Sequence, residues 1–210
     1  MTSAGSVVAT QLSFLAVEGG SIPTPALQFT IRRISHETGR LWIEKWHYSH
    51  RMPTGQNIIF GLYNEELGVL YAVIVYGIGV NTYQAQFLGV EKVMELKRMA
   101  RSEPRQSYPL SRFIALTLKM LRKSCDFDAV VAFADPEQGH EGTVYKATGF
   151  THEGMSNAEW HTIDDAGEVR HRRFAFRYAR RNGVTIEAAR IALGLQREQT
   201  APKHRWVRRA

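Results

Sequence analysis

The sequence predicts an α/β fold: a mixed sheet, antiparallel in its first half and ending in a β-α-β-α unit, flanked by helices, with a basic C-terminal extension. Three observations carry that expectation. Apolar and polar residues alternate over residues 27–34, the two-residue period of a half-buried strand. Leu110, Phe113, Ile114, Thr117, Leu118 and Leu121 share one stripe of a helix over 110–124. Residues 128–134 form a short run that is apolar after its first residue, as in a strand covered on both faces.

The remaining elements follow in order. Residues 1–25 mix Ser, Thr, Gly and Pro with short apolar runs of no steady period and read as an arm, so 1–26 is set apart from a catalytic domain over 27–180. Ser35 is placed to cap a short helix over 36–46, which Gly39 weakens. A polar loop over 47–55 leads to strands over 57–63 and 67–76, joined by Asn64-Glu65-Glu66 as a hairpin. Alternation returns over 93–99 as a fourth strand. After the long helix and the buried strand, a short helix over 141–148 is closed by Gly149. A final hairpin over 162–178 turns at Asp164-Asp165-Ala166-Gly167, and a late helix over 185–194 lies in the extension, 181–210.

The 210 residues, 44% apolar and 22% charged, suffice for one sizeable core. The longest apolar stretch, 69–75, is far short of the roughly 20 residues of a membrane span, so no membrane partner is expected. No basic segment leads into an apolar one near the N-terminus, and Cys125 has no second cysteine to pair with; both point to the cytoplasm. Cys125 itself reads as a small buried residue near a helix end. Charge is unevenly placed. Residues 168–210 hold 12 Arg or Lys against 3 Glu, whereas the preceding 167 hold 15 basic and 17 acidic residues. Such a region gains affinity for a polyanion by counterion release, and its 11 Arg to 1 Lys favours bidentate phosphate contacts. The alternative is a solubilising surface with a frayed tail.

Several side chains have the chemistry to act. Asp135 ends the buried strand, where α/β sheets present functional groups; its carboxylate is either a base or the Asx residue of an Asp-Pro turn. Tyr48 and Tyr145 either stack on a base and donate a hydrogen bond, or pack in the core. Ser111 either caps the long helix or joins its amides in holding phosphate. Arg98 and Arg101 differ in phase along the fourth strand, so at least one faces a cleft. His47, His50 and His140 with Asp135 have the composition of an Fe(II)-type metal site.

Four strings carry a resemblance. His47-Tyr48-Ser49-His50-Arg51-Met52-Pro53, Leu96-Lys97-Arg98-Met99, Leu110-Ser111-Arg112-Phe113, and Ala134-Asp135-Pro136-Glu137-Gln138-Gly139-His140-Glu141-Gly142-Thr143-Val144-Tyr145 together resemble the Mom family of Mu-like phages. The element order is similar to that of GNAT acyltransferases. The resemblance implies an enzyme of a bacterial host's cytoplasm that converts adenine in double-stranded DNA to its N6-carbamoylmethyl form and so resists restriction. It implies catalytic roles for Asp135, Tyr48, Tyr145, Arg98 and His47, and a site for acetyl-CoA or a related acyl-CoA at Arg101, Ser111, Arg112 and Tyr145. Arg170, Arg172, Arg173 and Arg177 are the expected DNA contacts. The glycine-rich pyrophosphate loop of GNAT enzymes is replaced by residues 101–111, which contain no glycine. An ordinary GNAT N-acetyltransferase of a protein or small amine is the main rival, and a catalytically silent DNA-binding module the third reading. Oligomeric state stays open between monomer and homodimer.

Overall fold

The computed structural model describes residues 29–64, 68–78, 82–102, 108–158, 160–167, 169–170 and 173–210. The expected arm, Leu27, the 65–67 turn and Arg172 lie outside the described residues. The chain divides into two compact units, the first holding Met1–Ala132, Val144–Thr151 and Val207–Ala210, the second Phe133–Thr143 and His152–Trp206.

The first unit opens with β1 (Phe29–Arg33), α1 (His36–Trp46), β2 (Asn57–Asn64), β3 (Val69–Ile78), α2 (Thr82–Leu88), β4 (Val93–Arg101) and α3 (Leu110–Arg122). Four further elements contribute residues to both units: β5 (Ala129–Ala134), α4 (Thr143–Lys146), β6 (Thr151–Met155) and β10 (His204–Arg209). One seven-stranded sheet runs β1-β2-β3-β4-β5-β10-β6. The first four strands are antiparallel and β4 to β5 is parallel, as the sequence predicts.

Local chemistry explains these elements. Ser35 caps α1 by accepting the Thr38 N–H at 3.1 Å. Gly39 is a poor helix former, yet it is buried: a Cβ there would stand 2.9 Å from Ile59 Cγ2. Helix α1 therefore lies close on β2, and Ile43, Ile59, Val73, Val75 and Ala100 form a buried cluster. Helix α3 buries Phe113, Ile114, Thr117, Leu118 and Leu121 of its expected stripe.

The second unit holds a three-stranded sheet, β8-β7-β9, from β7 (Trp160–Ile163), β8 (Val169–Arg170) and β9 (Gln196–Gln199). The expected hairpin turn at 164–167 is present, but its second limb is only β8. Residues expected to continue it form α5 (Arg173–Asn182), followed by α6 (Ile186–Ala192). Phe174, Phe176 and Tyr178 alternate like a strand. The small residues Ala175 and Ala179, four apart, are the ones that bury, and that spacing makes a helix. Elements α2, β6, β9 and β10 have no sequence expectation behind them: β6 and β9 are largely polar and exposed, with no alternation to read. The tail is not frayed, since Arg205, Trp206 and Val207 are buried in β10. Cys125 is half-buried just beyond α3 rather than fully buried.

Candidate active site

Strand β4 positions the site in the first unit. It pairs with β5 only over Val93–Leu96, while its pairing with β3 continues to Arg101. From Lys97 onward, the β4 edge on the β5 side therefore leaves that ladder. Lys97 crosses β3 over Gly77, where a Cβ would collide with its side chain, and its Nζ donates to the Thr54 carbonyl at 3.0 Å. The Lys97-Arg98 motif thus ties the loop after α1 to the sheet.

Arg98 is the next residue along. Its Nη1 donates to the Lys97 carbonyl at 2.7 Å, while its buried Nε has no hydrogen-bond partner among the described residues. Buried polar groups are nearly always paired, so this N–H calls for an acceptor from a bound molecule. Beside it is Tyr145 of α4, buried and packed on Phe150 at 5.6 Å between ring centroids. Burial pushes the Tyr145 phenol far above its ordinary range; proximity to Tyr48 pushes the same way and Arg98 opposes. The hydroxyl is therefore a donor at any physiological pH.

Tyr48 stays exposed, with its ring centroid 4.2 Å from that of buried His47. His47 Nδ1 accepts the Ser49 N–H at 3.1 Å, which leaves the proton of the neutral ring on Nε2. Tyr76, unmarked in the sequence, lies in the same interior, and its phenol is also pushed far up by burial. It is 2.8 Å from the Thr117 hydroxyl, which itself faces the Phe113 carbonyl at 2.9 Å. A carbonyl only accepts, so Thr117 donates to it and Tyr76 donates to Thr117.

The structure thus brings Tyr48, His47, Tyr145 and Arg98 together. Arg101 ends β4, half-buried. Ser111 is not the cap of α3: the cap position is Pro109, which offers no side-chain acceptor, and Ser111 sits in the first turn with Arg112. No acidic residue lies in that turn. An uncapped helix start with the Arg112 guanidinium fits an anionic group such as a pyrophosphate. The orphan Arg98 Nε–H likewise fits a carbonyl-bearing acyl donor. Residues 103–107 of the glycine-free stretch lie outside the described residues.

Asp135 belongs to the second unit. Its Oδ1 accepts the Glu137 N–H at 3.1 Å, holding a 3-10 turn over Pro136–Gln138, and its Oδ2 pairs with Lys203 Nζ at 2.9 Å. The carboxylate is almost fully buried. Gly142 of the same motif has φ +80°, and the Trp206 indole lies against it where any Cβ would collide. Neither Lys203 nor Trp206 is marked in the sequence, because each meets its partner across more than sixty residues of chain.

The Fe(II)-type set is a correction. Among the described residues no three His, Cys, Asp or Glu side chains gather as metal ligands, so His47, His50, Asp135 and His140 do not form such a site. Their atoms have other work. His47 Nδ1 is taken by Ser49, His50 Nδ1 donates to the Glu44 carbonyl at 2.7 Å, and Asp135 is paired with Lys203. These residues do not fit an iron.

Of the expected DNA contacts, Arg170 is ion-paired with Asp164, and Arg173 and Arg177 lie on α5. No helix among the described residues is long and apolar enough to cross a membrane.

The profile of the Mom protein family matches residues 28–209. The chain belongs to the Mom protein family. Its match spans every element of the fold and all four motifs. Among solved structures, a mosquito arylalkylamine N-acetyltransferase-like protein is 8% identical, with a TM-score of 0.53, over 87% of this chain and 100% of that one. A spermidine N-acetyltransferase variant from Vibrio cholerae is 10% identical, with a TM-score of 0.51, over 87% and 94% of the two chains. The Mom chain therefore has an N-acetyltransferase fold. Comparison with curated protein sequences finds no match.

Proposed function

We propose that this Mom-family enzyme modifies the exocyclic amine of adenine in double-stranded DNA, placing a carbamoylmethyl group on N6, and uses an acyl-CoA-type donor. The single observation that carries this reading is the cluster of Tyr145, Tyr48, His47 and Arg98 beside the freed edge of β4, in a chain that matches the Mom family over 28–209. The lone pair of adenine N6 is delocalised into the ring, so an enzyme must orient the base and stabilise developing charge. Tyr48, exposed on the His47 ring, offers a stacking surface for a base taken out of its duplex. Tyr145 OH and the free Arg98 Nε–H are two donors aimed at an oxygen that gains charge. Arg101, Ser111 and Arg112 would hold the anionic part of an acyl-CoA; thioester chemistry alone would put an acyl group on N6 with loss of the coenzyme thiol, so the N6–CH2 bond and the amide nitrogen of a carbamoylmethyl group call for a second, nitrogen-bearing co-substrate. Bond formation at N6 releases one proton, and the carboxylate of the longest motif, Asp135, is the acceptor that the motif resemblance suggests.

Mass analysis of nucleosides from DNA of cells expressing the chain tests the reading. We expect a deoxyadenosine heavier by a carbamoylmethyl group, and a yield about two orders of magnitude lower from Asp135→Asn, which keeps shape but not charge. Only ordinary nucleosides, with acetylation of a small amine instead, would establish the ordinary acetyltransferase reading.

A further inference from the structure

The second unit contains a pair of helices joined by a short turn. Helix α5 ends on Gly183, at φ +64°, and Val184 N–H reaches back to the Ala179 carbonyl at 3.1 Å, which is the glycine-terminated closure of a helix. Two residues later Thr185 caps α6 by accepting the Ala188 N–H at 3.1 Å. Three residues thus separate the helices, with glycine first. Ala175 and Ala179 of α5 and Ala189 of α6 form a shared buried cluster, with Tyr178 and Leu195 against it.

That packing decides which face of α5 looks outward. Arg177, Arg180 and Arg181 stand on the face away from Ala175 and Ala179, with Phe176 on its flank, all exposed. Helix α5 has no acidic residue, and among the described residues no carboxylate pairs with Arg177, Arg180 or Arg181. Some other surface cations do pair, such as Arg170 with Asp164, Arg190 with Glu187 and Lys92 with Asp126. Phe176, half exposed among three unpaired guanidiniums, has no folding reason to face water.

We propose that α5 is a DNA-docking helix that lies in the major groove of duplex DNA, its arginines on the flanking phosphates and Phe176 toward the base edges. The proposal rests on the reading that duplex DNA is the substrate, and goes beyond it by assigning recognition to α5 rather than to a diffuse basic tail. A helix with its side chains is about 10–12 Å across, slim enough for the roughly 12 Å-wide major groove, and the ten residues of α5 give about 15 Å of it.

The test measures binding of the full chain to a labelled duplex across salt concentrations, beside methylation interference. Replacing Arg177, Arg180 and Arg181 by Ala together is expected to reduce the log–log salt slope by ~2.7, at about 0.9 per lost contact. The triple Lys variant is expected to keep the slope. Methylation at guanine N7, in the major groove, is expected to block binding, and methylation at adenine N3, in the minor groove, to be tolerated. A slope unchanged in a triple Ala variant with wild-type circular dichroism would overturn the proposal. So would interference confined to adenine N3, or binding to phosphatidylserine vesicles with none to duplex. Nucleoside analysis separates the two readings. Unmodified adenine with the expected slope and interference fails the activity and supports the dock; modified adenine with an unchanged slope fails the dock alone.

Discussion

Tyr145 shows what the motif strings announce and what they omit. Its place in the longest string marks it for function, and the structure adds that burial holds its hydroxyl protonated beside Arg98. Tyr145→Phe keeps the packing on Phe150 and removes one donor, so modified-adenine yield per folded enzyme is expected to fall about a hundredfold with melting temperature little changed. The same burial gives a pH signature. Both the Tyr145 and Tyr76 phenols bind their protons more tightly folded than unfolded. The stability they confer is whole below the ordinary phenol value of about 10 and drains away as pH rises above it. Thermal melting from pH 8 to 11 should show that loss, smaller in Tyr145→Phe. Tyr48, His47 and Arg98 were legible for the same reason as Tyr145: they sit in compact strings. Lys203 and Trp206 were not, because an ion pair to Asp135 and an indole laid on Gly142 depend on a strand pairing that no local pattern encodes.

At the scale of elements, strong periodicity was readable and short polar strands were not. Helix α3 and strand β5 declared themselves through one apolar stripe and one apolar run. Helix α5 was misread because its aromatics alternate while its two alanines, spaced by four, choose the face that buries. Gly39 is the reverse case, a local weakness kept for a tertiary reason. Alanine there improves helix propensity by about 1 kcal/mol, yet its methyl meets Ile59 at 2.9 Å in a well-packed interior, where overpacking costs about 1–3 kcal/mol. Gly39→Ala is therefore expected to lower stability by roughly 1 kcal/mol in denaturant unfolding. A rise in stability would show that Ile59 yields freely.

For the whole molecule, the α/β class and the mixed sheet followed from the order of elements, whereas the fate of the basic tail did not. Arg205, Trp206 and Val207 are interior residues of β10, between β5 and β6. The charge count saw their neighbours' guanidiniums and missed the strand. Arg208 donates to the Thr148 carbonyl, and Ala210 N–H to the Asp128 carbonyl at 2.8 Å. A chain ending at Lys203 is expected to lose its cooperative thermal transition, since the missing pairings rival the whole ~5–15 kcal/mol of a typical domain. A sharp melt from that truncation would make β10 dispensable.

The position of β10 also sets a timetable for synthesis. Strands β5 and β6 are made early but are not neighbours; the strand that joins them is translated about 70 residues after β5. Both flanking strands are made by Met155, about 50 residues before β10, so at roughly 5–20 residues per second the slot stands open for about 2–10 s. For that interval two strands expose unpaired edges, the kind of surface on which nascent chains aggregate. The yield of active enzyme in a crowded cell thus depends on how well that slot is kept clear until β10 arrives.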